Sequence, residues 1–242
     1  MKHVLIIQTG RAPHPIRGRH GDFPHWFRVG TRIAPHRLKI VEVIAGESLP
    51  SAKDVAGAII TGSAAMVTER SLWSERTAGW IRDAMDLEIP LFGVCYGHQL
   101  MAHALGGRVD YLPGGREIGT QPIELLDGAS QDALTSRLPA MFRAHTTHEQ
   151  SVLEPPRGST VLARSTRDPH QLLRYGPSAV SAQFHPEFNA EVMRDYIKRK
   201  HADMRREGSD PRSIFKAVAA TPIARLLLRH FSRLHGWNNV LE

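Results

Sequence analysis

Four short apolar runs alternate with segments of helical periodicity, and this alternation constrains the fold more than any other feature of the chain. The runs are HVLIIQ from His3, LKIVEVI from Leu38, VAGAIIT from Val55 and PLFGV from Pro90. Uninterrupted apolar runs rich in β-branched residues are typical of parallel strands buried on both faces. Residues 23–34 and 71–87 place apolar side chains at helical spacing between them. The pattern predicts an α/β fold with right-handed βαβ crossovers.

From residue 120 onward the predicted strands are shorter. They read QPIELL, STVLARS, QLLRY and AVSAQF, and Pro, Gly and Asp turns separate them. Strands joined by tight turns pair antiparallel, because the turn reverses the chain direction. We therefore expect a mostly parallel central sheet with flanking helices, to which antiparallel strands are added.

The C-terminal part carries three helix start signals. Asn189 is a candidate N-cap for a helix that runs to about Arg206. Asp210-Pro211 and Thr221-Pro222 each place a capping residue before a first-turn proline. We therefore expect a main domain, residues 1–190, and a helical C-terminal extension, residues 191–242, packed on the same domain.

The last predicted helix, which ends at Gly236, has an apolar face that must be covered. Its members are Ile223, Leu226, Leu227, Phe231 and Leu234. An exposed stripe of this size would promote aggregation, so the main domain or a second copy of the chain has to cover it. If a second copy covers this face, the protein is a homodimer.

Composition excludes several classes of protein. Hydrophobic residues make up 41% and charged residues 23% of the 242 residues, which is far from the composition of disordered chains. The longest apolar runs fall well short of the roughly 18 residues that a membrane helix needs. Met1-Lys2-His3 leads straight into the first predicted strand. We expect no signal peptide, no membrane partner and a cytoplasmic location.

The net charge of +7 lies in the C-terminal extension. Between Arg194 and Arg233 there are 11 basic and 4 acidic residues, whereas the rest of the chain holds 20 of each. A basic segment invites a nucleic-acid interpretation. Single-strand binders also interleave aromatic residues with their cations, and these arginines lack them. The charge therefore does not predict a nucleic-acid partner.

The single cysteine, Cys95, follows an apolar strand and precedes a helix-forming run in IPLFGVCYGHQLMAHALGG. A nucleophile on such a turn gains from the helix N-terminus, whose amides stabilise a thiolate, and from flanking glycines, which permit a strained backbone. A lone cysteine is also commonly a small buried hydrophobic residue. On this segment alone both interpretations stand.

A histidine and a carboxylate follow another predicted strand, in AVSAQFHPEF. His185 comes directly after the strand and Glu187 lies two residues further on, with Pro186 keeping the backbone extended. A carboxylate at this spacing can orient the imidazole as a base. The alternative for His185 is a turn histidine bonded to the backbone. Because parallel strands end at one edge of a sheet, we expect His185 near Cys95.

Together these motifs resemble the class I glutamine amidotransferases, whose catalytic set is Cys-His-Glu. The resemblance covers residues 4–188 and rests on segments in the family order: VAGAIITGS, FGVCYGHQLMAHALGG, THEQSV with PPRGSTVLARS, and AQFHPEF. Within the family the chain is similar to stand-alone proteins related to the amidotransferase part of GMP synthase and to plant γ-glutamyl peptidases. The resemblance implies an amidohydrolase with a cysteine nucleophile.

The resemblance also implies a role for each matching residue. Cys95 would be the nucleophile, His185 the base and acid, and Glu187 the carboxylate that orients His185. Two backbone amides would form an oxyanion hole, and loss of one such donor costs about 10²-fold or more in rate. Two side chains would bind the substrate. The amides are those of Tyr96 and of Gly62 or Ser63, and the side chains are those of Gln99 and His148.

One of these positions has a second interpretation, and another lies in a segment that differs from the family pattern. Gln99 also fits as an ordinary polar residue in a first helical turn. Where many relatives have His, any residue, Asp, this chain reads His148-Glu149-Gln150. Gln150 in place of a carboxylate weakens the charge contact with the α-ammonium group of free glutamine.

The 14 histidines do not form a recognisable metal motif. His145 and His148 could share a helix face, but no spacing of histidines and carboxylates matches known metal sites. His14, His20 and His25 lie close together along the chain, and residues 10–24 also contain Arg11, Arg17 and Arg19. We expect this segment to be a solvated loop over the same sheet edge as Cys95, and we expect no metal and no cofactor.

The sequence therefore predicts a glutaminase that hydrolyses the side-chain amide of glutamine and supplies ammonia to an unidentified acceptor, held by a synthetase partner subunit. The main alternative is a stand-alone γ-glutamyl peptidase. An alternative outside the enzymes is a non-catalytic docking protein that acts through its basic tail. The presence of Cys95, His185 and Glu187 together argues against that last one.

Overall fold

The computed structural model describes residues 2–238 and is built on a nine-stranded sheet. Its spatial order is β2-β1-β3-β4-β11-β10-β9-β6-β7. These strands are β1 (His3–Gln8), β2 (Leu38–Glu42), β3 (Val55–Ile60), β4 (Leu91–Val94), β6 (Glu117–Leu125), β7 (Met141–His148), β9 (Thr160–Arg164), β10 (Leu172–Gly176) and β11 (Ala179–Ala182). A separate antiparallel ribbon pairs β5 (Arg108–Tyr111) with β8 (Gln150–Glu154).

The sheet is parallel in one half and antiparallel in the other. β2, β1, β3, β4 and β11 run parallel, and β10, β9, β6 and β7 extend them by antiparallel pairing. This confirms the predicted α/β class with antiparallel additions. Ala182 pairs with Val94, so β11 and β4 end side by side. The residues that follow these two strands, including Cys95 and His185, therefore share one edge of the sheet.

Seven helices of the described chain flank the sheet. They are α1 (His14–His20), α2 (Phe23–Thr31), α3 (Leu72–Asp86), α4 (Tyr96–Ala104), α5 (Ala190–Arg206), α6 (Pro211–Lys216) and α7 (Pro222–Leu234). Two predicted caps are made: the Asn189 side chain accepts from the Val192 amide at 2.9 Å, and the Asp210 side chain accepts from the Arg212 amide at 3.0 Å. The Thr221 side chain makes no such bond.

The C-terminal helices share a hydrophobic core with the rest of the chain. Phe231 of α7 meets Phe92 of β4 with ring centroids 5.1 Å apart. Gly30 of α2 lies directly against Leu228 of α7: a Cβ atom added at Gly30 would be only 2.6 Å from Leu228 Cδ1. Helix α7 therefore packs closely on α2. Burying side chains of this size stabilises the fold by about 1.5–3 kcal/mol each. The main domain thus covers α7.

The covered face of α7 differs from the predicted one. Leu227 and Phe231 are buried as expected, but Leu228 takes the place expected for Leu226, and Leu234 is 51% exposed. The physical reason is the direction from which α7 is covered: Leu228 lies against Gly30 of α2, and Phe231 lies against Phe92 of β4. Leu234 lies at the end of the helix, beyond that contact.

Three local predictions were wrong. β2 lies at the edge of the sheet and is not buried on both faces: Val41 is buried, whereas Ile40 is 52% exposed. The expected loop at residues 10–24 contains α1, which buries Ile16. His145 and His148 lie on a strand, not a helix, and their odd spacing directs them to opposite faces.

No helix within residues 2–238 is long and apolar enough to cross a membrane.

Candidate active site

Cys95 occupies a strained turn between β4 and α4. Its φ of 53° and ψ of −102° are rare for a residue other than glycine. Two hydrogen bonds from neighbouring segments hold the turn: the Cys95 amide donates to the Ala182 carbonyl at 2.9 Å, and the Gly97 amide donates to the Thr61 carbonyl at 3.1 Å. The turn therefore fixes the thiol at the N-terminus of α4.

Close backbone contacts require the glycines on both sides of Cys95. A Cβ atom at Gly97 would lie 2.3 Å from the Ile60 carbonyl oxygen, and one at Gly93 would lie 2.6 Å from the Gly97 carbonyl oxygen. Neither distance is compatible with a side chain. The glycines thus let α4 begin directly against β3, in addition to permitting the turn.

His185 is buried directly after β11. Its amide donates to the His145 carbonyl at 2.8 Å, and its ring stacks on Phe188 with centroids 4.1 Å apart. Nδ1 lies 2.8 Å from Glu187 Oε1, so the carboxylate accepts the Nδ1 proton and fixes the ring. Nε2 has no hydrogen-bond partner among the described residues. It is the ring nitrogen left to exchange protons.

The surroundings of His185 stabilise its protonated form. Burial lowers the pKa of His185, but the negative charges of Glu187 and Cys95 raise it, and the result is a pKa of about 10. An imidazolium and a thiolate in one pocket stabilise each other, and the thiolate is the nucleophilic form of cysteine.

Cys95 and His185 both border a cavity of about 170 Å³. Cations are prominent in its wall: Arg116 and Arg11 come from loops, and Lys200 comes from α5. Arg116 and Lys200 flank the Glu149 carboxylate at 2.8 and 3.2 Å. The cations of the cavity wall named here are therefore paired with protein carboxylates, since Arg11 in turn contacts Glu42.

Gln99 and His148 border the same cavity and share one acceptor. Gln99 Nε2 donates to the Gln150 carbonyl at 2.6 Å and to Gln183 Oε1 at 3.0 Å. His148 Nδ1 lies 3.0 Å from the same carbonyl, and its Nε2 lies 3.0 Å from Glu117 Oε2. Both ring nitrogens of His148 therefore have protein partners, and neither is left to bond a substrate.

The residues expected to supply the oxyanion donors lie next to His185 and Cys95. A Cβ at Gly62 would lie 3.1 Å from His185 Cε1, so the Gly62 backbone borders the imidazole. Tyr96 follows Cys95 directly, and its ring stacks on Trp73 of α3 with centroids 5.4 Å apart. Ser63, the alternative donor, borders the cavity as well.

Two contacts at this site were not found by sequence reasoning. The Gln150 side chain, which replaces the expected carboxylate, donates to the Thr68 hydroxyl at 2.6 Å and so ties β8 to the loop after β3. Glu117 is buried behind His148. In the sequence both Thr68 and Glu117 look like ordinary polar residues beside a turn, because their partners lie far away along the chain.

The histidines considered as metal ligands are dispersed. His145 Nδ1 lies 3.2 Å from the Thr120 hydroxyl, and His20 Nε2 lies 3.1 Å from Asp195 Oδ2. Within residues 2–238 no three His, Cys, Asp or Glu side chains are grouped as the ligands of a metal ion would be.

Comparison with known proteins gives a family match. A family model described as glutamine amidotransferase class-I matches residues 27–203, a range that contains the Cys95 turn and His185. A glutamine-hydrolyzing GMP synthase of Aeropyrum pernix is 34% identical over 157 residues, which are 63% of this chain and 28% of that protein. Gamma-glutamyl peptidase 5 of Arabidopsis thaliana is 28% identical over 165 residues, which are 66% of this chain and 65% of that protein.

The match therefore spans about a quarter of one relative and just under two thirds of the other. Among solved structures, a glutamine amidotransferase from Thermotoga maritima superimposes with a TM-score of 0.76 at 22% identity, with 97% of each chain covered. At that identity the likeness concerns the fold alone.

Proposed function

The chain belongs to the class I glutamine amidotransferase family, and from this premise we propose that it is a glutaminase that works through a thioester on Cys95. The observation that carries the proposal is the shared cavity of Cys95 and His185, with His185 Nδ1 held by Glu187 at 2.8 Å. A nucleophile, a base and a group that orients the base are the parts that acyl transfer requires.

In the first half-reaction the Cys95 thiolate attacks the side-chain amide carbon of glutamine. The carbonyl electrons move onto oxygen, and the backbone amides of Tyr96 and of Gly62 or Ser63 stabilise that oxyanion. The His185 imidazolium gives its Nε2 proton to the amide nitrogen. The C–N bond then breaks, ammonia leaves, and a glutamyl thioester remains on Cys95.

In the second half-reaction neutral His185 accepts a proton from water as the water oxygen attacks the thioester carbon. The C–S bond breaks, the thiolate is restored, and glutamate leaves. Glu187 holds the ring in one orientation through both halves. His185 thus returns to its protonated state at the end of each turnover.

The proposal extends to the fate of the ammonia. The Aeropyrum relative is by name a glutamine-hydrolyzing GMP synthase, which supports a synthetase as the recipient. We place the acceptor on a separate synthetase subunit that docks near the cavity mouth. Such a glutaminase would be slow alone and faster with its partner.

A stand-alone γ-glutamyl peptidase is the second candidate, and a specific feature of the cavity favours it. Arg199 of α5 borders the cavity and takes part in no ion pair among residues 2–238. Its guanidinium is suited to bind the carboxylate of an amino acid that leaves from a γ-glutamyl bond. Glutamine has no such group on its leaving side.

Steady-state kinetics of the isolated protein separates the two candidates. A partner-dependent glutaminase turns over glutamine slowly and leaves γ-glutamyl dipeptides intact. A peptidase cleaves dipeptides far faster than glutamine, and Arg199→Ala then raises KM for dipeptides while leaving KM for glutamine unchanged. The Cys95→Ala protein is the blank for both assays, and near wild-type turnover in that protein would overturn both candidates.

A further inference from the structure

His148 lies between two hydrogen-bond acceptors. Its Nδ1 is 3.0 Å from the Gln150 carbonyl oxygen, which can only accept, and its Nε2 is 3.0 Å from Glu117 Oε2. Glu117 also accepts from the Ser165 hydroxyl at 2.6 Å and from the Gln171 amide at 2.7 Å. Ser165 and Gln171 thus donate to both of its oxygens, and this pattern fits a carboxylate, which only accepts. Both nitrogens of His148 therefore carry protons, and the ring is an imidazolium.

This ion pair is buried and fully bonded. His148 is 4% and Glu117 is 1% exposed. Such a pair persists only when further hydrogen bonds satisfy its remaining atoms, as they do here. Burial lowers the pKa of His148, but Glu117, Asp168 and Cys95 raise it above its ordinary value. The hydrogen-bond partners and the nearby negative charges thus both favour the imidazolium.

The two residues of the pair are placed differently with respect to the cavity that contains Cys95. His148 borders the cavity together with Cys95, whereas Glu117 lies behind His148 and does not border it. The cation of the pair therefore lies on the cavity side, where Cys95 also lies. We propose that Glu117 is a positioning residue that keeps His148 as a fixed cation, and that this cation stabilises the Cys95 thiolate together with His185.

This inference rests on the proposed function in taking Cys95 as the nucleophile. His148 then acts through its charge and not by a hydrogen bond to the substrate, since its nitrogens are occupied. Other charged or titratable groups also face His148 or the cavity. They are Asp168, whose Oδ2 lies 3.8 Å from Nε2, His98 of α4, and the cavity residues Arg11, Arg116, Glu149, Arg199 and Lys200.

The test is the pH midpoint for alkylation of Cys95 by iodoacetamide, measured in the full chain. His148→Gln removes the cation, so the midpoint should rise by about one pH unit. Glu117→Gln should also raise it, because His148 without its partner becomes neutral in a buried site. If Glu117 were only a negative charge near the thiol, its removal would lower the midpoint. A fall or no change in Glu117→Gln overturns the proposal.

A control variant and a second method complete the test. His98→Gln replaces a buried histidine whose pKa burial lowers to about 3, so it removes no charge and should leave the midpoint unchanged. If either variant at Glu117 or His148 fails to fold, 15N NMR of the wild-type imidazole decides. Double protonation of His148 up to about pH 8 supports the pair, and titration near its ordinary pKa of about 6.5 contradicts it.

Alkylation and turnover can fail independently. Iodoacetamide reports the thiolate whether or not the protein hydrolyses an amide. A protein that shows the expected midpoint shifts but releases no ammonia would contradict the proposed function and leave the Glu117–His148 pair in place.

Discussion

At the scale of single residues, Glu187 contacts His185 by a hydrogen bond, but it does not border the cavity or contact the thiol. Glu187→Gln keeps the size of the side chain but loses the charge that raises the pKa of His185. We expect kcat to fall by about 10²-fold, while Cys95→Ala and His185→Ala abolish turnover. Ammonia release under saturating substrate measures the difference. A Glu187→Gln protein as inactive as Cys95→Ala would show that the carboxylate does more than orient the base.

His98 gives a prediction for the pH dependence of stability. Burial lowers its folded-state pKa to about 3, whereas the unfolded chain protonates it near 6.5. Between these values the unfolded state binds the extra proton, so the free energy of unfolding falls as the pH drops from about 6.5 toward 3. His98→Gln removes this contribution.

Urea denaturation at about pH 7.5 and about pH 5 measures the effect. The acid-induced loss of stability should be smaller in His98→Gln than in the wild type. The raised pKa values of His148 and His185 act in the opposite direction, but both proteins share them, so they cancel in the comparison. Equal losses in the two proteins would contradict the assignment of His98 as a buried neutral group.

Residues next to strand ends were predictable, and residues with distant partners were not. Cys95 and His185 each follow an apolar run, and the topology brings the ends of two such runs together. Glu117 and Thr68 acquire their roles only from His148 and Gln150, which lie 31 and 82 residues away. No local pattern distinguishes them from solvated polar residues.

Among the elements, the turn from β4 to α4 carries the strictest requirement. Gly97→Ala would place a Cβ 2.3 Å from the Ile60 carbonyl oxygen, which is backbone and cannot rotate away. We expect a loss of about 1–3 kcal/mol in the free energy of unfolding and a marked loss of kcat, because α4 must move with the thiol. Thermal unfolding and ammonia release measure both.

Gly18→Ala is the matched control for that substitution. Gly18 lies in α1, and a Cβ there would meet nothing within 4 Å. Alanine in a helix interior is favoured over glycine by roughly 0.5–1 kcal/mol, so this variant should be slightly more stable and fully active. Equal effects of the two substitutions would show that the contact at Gly97 is not restrictive.

Elements were predictable where an uninterrupted apolar run marks them. β1, β3 and β4 coincide with such runs, and the capping residues Asn189 and Asp210 mark the starts of two helices. β7 reads MFRAHTTH and was not predicted. Its buried positions include His145, Thr146 and His148, and the sequence does not display the tertiary contacts that His145 makes with Thr120 and His148 makes with Glu117.

For the molecule as a whole, the C-terminal extension and the main domain should unfold as one unit. Phe231 is buried against Phe92 of the central sheet, so Phe231→Ala should cost about 3–5 kcal/mol. Leu234→Ala is the control, since this residue is 51% exposed and should cost less than about 0.5 kcal/mol. Calorimetry should show one transition for each protein. A separate early transition in Phe231→Ala would make the extension an independent unit.

The extension also completes the cavity, which ties the fold of the whole molecule to its chemistry. α5 contributes Tyr196, Arg199 and Lys200 to the cavity wall. Removal of residues 210–242 should uncover the core beneath α7 and yield insoluble protein or a changed oligomer. A truncated protein that stays soluble and equally stable would indicate that the last helices serve an acidic partner instead.

The central claim is that an acyl group passes through Cys95. The direct measurement is mass spectrometry of the wild-type protein mixed with glutamine or a γ-glutamyl dipeptide and quenched in acid within the first turnover. We expect one glutamyl group on the peptide that contains Cys95, bound as a thioester that hydroxylamine releases, and none in Cys95→Ser. Ammonia or amino-acid release that proceeds with no acyl group on Cys95, or at an undiminished rate in Cys95→Ser, would contradict the account.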